Sequence, residues 1–314
     1  MPNGVSIETV GLMSPGDMGH AIGATLRHGG LRVITSLHGR SARTAGLAMQ
    51  AGIEDAGSDE ALVREADVLL SVLVPSEALG LAERLVSAIR AAGDAGRALV
   101  YADLNAIAPQ TSRQIGEIVT GAGARFVDGG IIGGPPKPGG SSPRIYLSGE
   151  DSAALLPLGE RGLDLRPMGA EIGQASGLKM CYAALTKGVT ALATELLVAA
   201  RAMGLWDALL QELRASQGGA LQQMERGIPG MPPKAYRWVG EMEEIAKTFG
   251  ALGLTPKMLE GAASLYRFVE HTPLGQETPE NRQRGTTLED VIDLLAAALP
   301  TSTQEDGTTT HRQL

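Results

Sequence analysis

The feature that most narrows the fold is an alternation: through the first half of the chain, short apolar runs take turns with helical segments. The runs Val5 to Leu12, Leu31 to Leu37, Val68 to Val74, Ala98 to Leu104, Arg125 to Val127 and Arg144 to Leu147 are the expected strands. Several are apolar almost throughout, as in strands covered on both faces. Met18 to His28, Ser41 to Ala51, Ser76 to Ala92 and Pro109 to Thr120 are the expected helices between them. Strand then helix, repeated, calls for right-handed crossovers and a mostly parallel sheet. The expected fold class is α/β over residues 1–170.

Near Met168 the pattern changes. From Gly173 the chain reads as long helical stretches with breakers at Gly227 to Pro233 and Thr255 to Pro256, so an all-helical domain is expected over residues 171–300. Its first helix, Ser176 to Met203, would be roughly 42 Å long if straight. That length suits a connector between domains or subunits. Residues 301–314 are polar and unpatterned, and a disordered tail is expected there. With 27 Lys and Arg against 35 Asp and Glu, the net charge of -8 offers nothing to attract nucleic acid or an anionic membrane. The apolar stretch Val189 to Ala200 is interrupted by Glu195, so no membrane span is expected. A single cysteine, Cys181, excludes an internal disulfide and four-thiolate metal sites, and the five histidines show no paired spacing. A cytoplasmic protein without metal is the expectation.

The first strand runs into Ser14-Pro15-Gly16-Asp17-Met18-Gly19 and then a helix. This is the G-x-G-x-x-G dinucleotide fingerprint with Ser14 in place of its first glycine. Gly16 would admit a pyrophosphate to the backbone at a helix N-terminus, and Gly19 would let that helix pack on the sheet. A ribose 2'-hydroxyl calls for an acid about 20 residues on, but no Asp or Glu lies between Asp17 and Glu54. The second strand instead leads to Arg40, Ser41 and Arg43, guanidinium forks and a hydroxyl suited to a 2'-phosphate. NADP is expected as cofactor, with NAD the lesser candidate.

Five ordered segments, Val10 to Gly19, Ala66 to Pro75, Asp103 to Pro109, Asp128 to Gly134 and Gly173 to Lys179, resemble the superfamily of β-hydroxyacid and 6-phosphogluconate dehydrogenases, which includes imine reductases. The likeness runs through about residue 205 and loosens beyond. It implies a Rossmann domain, a helical second domain with the active site in the cleft between, and a homodimer. It makes Lys179 the general acid/base that exchanges a proton with the substrate oxygen, a role that suits an ammonium whose pKa burial has lowered. It places Val74 and Pro75 on the loop by the cofactor and Asn105 near nicotinamide and substrate. Gly133 and Gly134 would offer backbone N–H groups to a substrate oxygen. On a helix, Tyr182 and Thr186 share the face of Lys179, and Tyr182 could supply a second hydroxyl donor.

The chain departs from the family at Ile132, where a serine is usual, and at Tyr182 or Ala183, where an asparagine is usual. Both changes remove groups that hold a carboxylate. A later helix brings Glu241 and Glu244, three residues apart, where a Lys-Asp pair is common. The reading is an NADP-dependent oxidoreductase acting on a carbonyl or alcohol carbon of a small substrate. Imine reduction to an amine is one alternative, and a non-catalytic NADP-binding module is the other.

Overall fold

The computed structural model describes residues 7–137 and 142–300. Its sheet has eight strands: β1 (Thr9–Met13), β2 (Arg32–Thr35), β3 (Glu54–Asp55), β4 (Val68–Ser71), β5 (Val100–Asp103), β6 (Arg125–Ile132), β7 (Arg144–Ser148) and β8 (Asp164–Gly169). They lie in the order β3-β2-β1-β4-β5-β6-β7-β8. Every neighbouring pair is parallel except β6 with β7. The order reverses at β1/β4, the switch point beside which ligands bind in such sheets. The helices of this part are α1 (Asp17–His28), α2 (Ala42–Gln50), α3 (Asp59–Glu65), α4 (Pro75–Ala91), α5 (Asp94–Ala98) and α6 (Pro109–Ala122), with a 3-10 segment at Glu150–Arg161.

Alternate strand residues feed two cores, one on each face. Val10, Leu12, Val68, Leu70, Val100 and Ala102 meet Ile22 and Leu26 of α1 together with Leu155 and Leu158. Leu69, Leu99 and Tyr101 point the other way, to Leu62, Leu81, Leu85, Ile115 and Val119 of α3, α4 and α6. Burial on both faces explains the nearly continuous apolar runs.

The six expected strands and four expected helices of this half are present with shifted ends. The first strand begins at Thr9, and the start expected at Val5 lies outside the described residues. The strand expected to stop at Val127 runs on to Ile132. Two strands and two short helices were not anticipated: β3 has two exposed residues, β8 contains Pro167 and lies largely exposed, and α3 and α5 are brief.

Beyond β8 the described chain is helical: α7 (Gln174–Ala202), α8 (Trp206–Ser216), α9 (Gly218–Gly227), α10 (Ala235–Ala251), α11 (Lys257–Glu270) and α12 (Leu288–Ala297). The chain divides into two compact units. The first holds the sheet, α7 up to Val189, and residues 237–264. The second holds residues 190–236 and the chain from Leu265. In the second, α12 buries Leu288, Val291, Ile292 and Leu295. Arg201 stacks 4.2 Å over Trp206 and pairs with Glu289 at 2.8 Å and Asp293 at 2.6 Å. By length and composition alone α7 is apolar enough to cross a membrane, a test that the core helix of a soluble protein also passes. The tail expected at 301–314 lies outside the described residues.

Candidate active site

The phosphate turn sits where β1 meets α1. Ser14 has φ 65°, and it is the single non-glycine with positive φ among the described residues. It therefore adopts the left-handed turn that the fingerprint assigns to glycine. The Gly16 N–H donates back to the Ser14 carbonyl at 2.7 Å. Gly16 is the N-cap of α1, with no side chain capping that end. A Cβ on Gly16 would meet nothing within 4 Å, whereas one on Gly19 would run into the Ser14 carbonyl and Leu12. Open backbone at an uncapped helix N-terminus, with a second glycine required for packing, fits a dinucleotide pyrophosphate. Pro15 is buried beneath the turn and Met18 packs toward the core. Asp17 reaches sideways to Arg43 at 2.5 Å and to Arg237 at 3.7 Å.

Beyond β2, Ser41 caps α2, accepting from the Thr44 N–H at 3.2 Å. Arg40 is half-buried. Burial and the nearby Arg84 guanidinium lower its pKa, with Asp59 and Glu77 opposing. Of the three residues expected at a 2'-phosphate, Arg43 is thus tied to the phosphate turn and Ser41 to a helix end. Arg40 is left beside a second cation.

The helix that carries Lys179 is fixed to the sheet by Asp128 on β6. This buried carboxylate accepts from the backbone N–H groups of Gly173 at 2.9 Å, Ala175 at 3.1 Å and Ser176 at 3.1 Å. It also accepts from the hydroxyls of Ser112 at 2.7 Å and Ser148 at 2.8 Å. An acid at a helix N-terminus satisfies orphan donors and complements the positive end of the helix dipole. Gly130 permits the close approach, because a Cβ there would lie 2.7 Å from the Ala175 carbonyl and 2.9 Å from the Lys179 Cβ.

Lys179 is half-buried, and no hydrogen bond or ion pair to its ammonium occurs among the described residues. Burial lowers its pKa from 10.5 to about 8; Lys187 and Arg237 push it the same way and Glu241 opposes them. Lys187 was not anticipated at the site. It pairs with Glu241 at 2.5 Å and lies 5.3 Å over the ring of Trp238. Burial would raise the Glu241 carboxyl, but Lys187 and Lys179 outweigh that and hold it below the usual range.

Glu241 and Glu244 do not act as one acidic face. Glu244 turns to the N-terminus of α6, accepting from the Ala108 N–H at 2.6 Å and the Thr111 hydroxyl at 2.8 Å. It caps a helix whose own N-cap residue has no polar side chain. Across α10, Arg237 meets Asp17 of α1, a Cβ on Gly240 would lie 3.9 Å from Pro75 of α4, and Glu244 meets α6. One helix thus roofs the N-termini of three, along the carboxyl edge of the sheet.

Asn105 is buried with its amide committed inside the protein. Its oxygen accepts from the Leu73 N–H, and its nitrogen donates to Ser71 at 2.8 Å and Asp103 at 3.0 Å. Burial pushes the Asp103 carboxyl up to about 7, against the hydrogen bonds from Asn105. Asn105 therefore holds the strand end leading to Val74, the N-cap of α4, and Pro75, its first residue. Ile132 is buried, whereas Gly133 and Gly134 are exposed, Gly133 with φ 129°. Tyr182 and Thr186 lie on an exposed face of α7, where the Thr186 hydroxyl donates to the Tyr182 carbonyl at 3.3 Å.

Residues 7–154 match the family model described as the NAD binding domain of 6-phosphogluconate dehydrogenase, and residues 200–269 match a domain of unknown function, DUF1932. A conserved protein of unknown function, whose structure was reported as similar to 3-hydroxyacid dehydrogenases, is 30% identical. That match covers 83% of this chain and 96% of the other, with a TM-score of 0.61. An uncharacterized protein of Methanothermus fervidus is 26% identical over 241 residues, 76% of this chain and 90% of its own. The 3-hydroxyisobutyrate dehydrogenase of Mycobacterium tuberculosis shares the fold at 18% identity, with a TM-score of 0.67 over 92% of this chain and 99% of its own.

Proposed function

The chain belongs to the 6-phosphogluconate and 3-hydroxyacid dehydrogenase-like family, oxidoreductases built on an NAD(P)-binding domain, and from that premise we propose that it uses NADP to interconvert a carbonyl and an alcohol on a small substrate, with Lys179 as general acid/base. The observation that carries this reading is an ammonium with no hydrogen-bond or ion-pair partner among the described residues, its pKa lowered to about 8, at the foot of a helix clamped to the sheet. Such a group donates a proton when protonated and accepts one when neutral, near physiological pH.

The phosphate turn from Ser14 to Gly19 would hold the pyrophosphate, and Arg40, with Ser41 and Arg43, would meet the 2'-phosphate. When bound, the nicotinamide supplies or takes up the hydride. Lys179 moves the proton at the substrate oxygen, and the exposed N–H groups of Gly133 and Gly134 orient that oxygen. Asn105 and Asp103 keep the Val74–Pro75 loop in place. Tyr182 and Thr186, on the exposed face of α7, would make further contacts with substrate.

The acid on α10 is answered from within: Glu241 faces Lys187 and Lys179. That leaves no surplus negative charge to select an amine, which favours the carbonyl reading over imine reduction. A homodimer is part of the proposal. Tyr182, Leu185, Val189 and Leu192 form an exposed apolar stripe along α7, the last three 65%, 46% and 63% accessible. A second copy would cover such a stripe.

The test is NADPH consumption on a panel of small ketones, keto acids and imines, with NADPH binding followed separately by fluorescence. Turnover abolished in Lys179→Met with binding retained supports the enzyme. Tight binding without turnover on any substrate would leave an NADP-binding module instead.

A further inference from the structure

The roof helix brings a guanidinium, Arg237, to the cleft. Around the path from phosphate turn to catalytic lysine stand Arg43, Arg237, Lys179 and Lys187, against the carboxylates of Asp17 and Glu241. Two close pairs form, Arg43 with Asp17 at 2.5 Å and Lys187 with Glu241 at 2.5 Å. Arg237 is left with a contact of 3.7 Å to a carboxylate already engaged, a separation too long for a hydrogen bond. Its Nε is buried and has no hydrogen-bond partner among the described residues, while its side chain as a whole keeps 28% exposure. A guanidinium offers five donors in a planar fork, and here that fork is largely unengaged, closed to water at one atom and open at the others.

Position gives the fork its meaning. Arg237 stands one helical turn before Glu241, which answers Lys187, and across from Asp17, the first residue of the phosphate-turn helix. Its charge reaches Lys179, whose pKa it helps to lower. Arg237 thus contacts the first residue of the phosphate-turn helix and acts electrostatically on Lys179.

The geometry points to Arg237 as an oxyanion-binding residue of the cleft, gripping in bidentate fashion either a phosphate group of the cofactor or the carboxylate of an acidic substrate. The inference rests on the proposed reading of the cleft as a cofactor and substrate site.

Two measurements separate the sources. The first is NADPH affinity by fluorescence titration of wild type, Arg237→Gln and Arg237→Lys. The second is the thermal stabilisation that malonate, a dicarboxylate probe, gives the NADPH-bound protein, with uncharged malonamide as control. A charge-assisted fork to the cofactor predicts NADPH affinity weakened about tenfold or more in Arg237→Gln and less in Arg237→Lys, with the malonate effect unchanged. A fork to the substrate predicts NADPH affinity within about twofold of wild type and the malonate effect lost. The lysine variant keeps charge and stem, so it carries the test if the glutamine variant fails to fold. Unchanged NADPH affinity together with an unchanged or absent malonate effect overturns the inference and leaves the functional reading standing. Wild-type protein that binds no NADPH overturns both.

Discussion

Replacing Lys179 by methionine should abolish turnover and make the protein more stable. Methionine keeps nearly the volume and length of the stem, so the packing against Gly130 survives and the ammonium is what is lost. The ammonium is disfavoured in the folded chain, since its pKa falls from 10.5 to about 8. At about 1.36 kcal/mol per pKa unit, that fall corresponds to an upper bound of about 3 kcal/mol, which solvent at the open side of the half-buried residue will reduce. The sign follows from proton binding. Below pH 8 the lysine is charged in both folded and unfolded chains, and the folded state bears the whole penalty. Between pH 8 and 10.5 the folded chain has released its proton while the unfolded chain has not, so the penalty fades. The variant should therefore exceed wild type by up to about 3 kcal/mol at pH 6.5 and by about 1.5 kcal/mol at pH 9.5. Urea unfolding followed by the fluorescence of Trp206 and Trp238 reads the difference at both pH values. Equal stability at pH 6.5, or a gap that does not narrow toward pH 9.5, would refute the argument that a destabilised ammonium sits at this site.

The same pKa sets the pH profile: reduction, which needs the ammonium, should decline as pH rises through about 8, and oxidation, which needs the amine, should rise. In Glu241→Gln the group that raises the lysine is gone, so both limbs should move to lower pH in steady-state profiles. Relieving a left-handed serine, Ser14→Gly should leave stability unchanged or raised by up to about 1 kcal/mol, whereas Ser14→Val should lower it by about 1–2 kcal/mol and weaken NADPH binding. Glu244→Gln should cost about 1 kcal/mol in denaturant unfolding with kcat unchanged, since the carboxylate caps α6 and does not reach the lysine. An unchanged midpoint in that variant would remove Glu244 from its capping role.

What the sequence made visible follows from local physics. Strands buried on both faces announce themselves as apolar runs, and Ser14 to Gly19 announces a turn because its geometry admits few residues. The edges were hidden: β3 is two residues long, β8 is exposed and contains a proline, and the 3-10 segment holds Pro157. In the site, Lys179 was legible from its segment, but its neighbours were not. Lys187 lies eight residues on, about 80° round an ideal helix, and comes to the site through a partner 54 positions away. Asp128 opens one of the five family-like segments, yet nothing in its spacing marks it as the clamp for amides 45 to 48 residues later. Glu241 and Glu244 share a helical face by count, but long side chains three residues apart diverged to different partners.

The clamp at Asp128 decides where evolutionary freedom lies in this chain. Because the helix that carries the amine is tied to β6 through three backbone amides, the position of its first turn is inherited from the sheet. The sequence past residue 200 can then diverge without unseating the start of α7 from the sheet. That is a physical reason for a recognisable nucleotide-binding half to be joined to a far less familiar one.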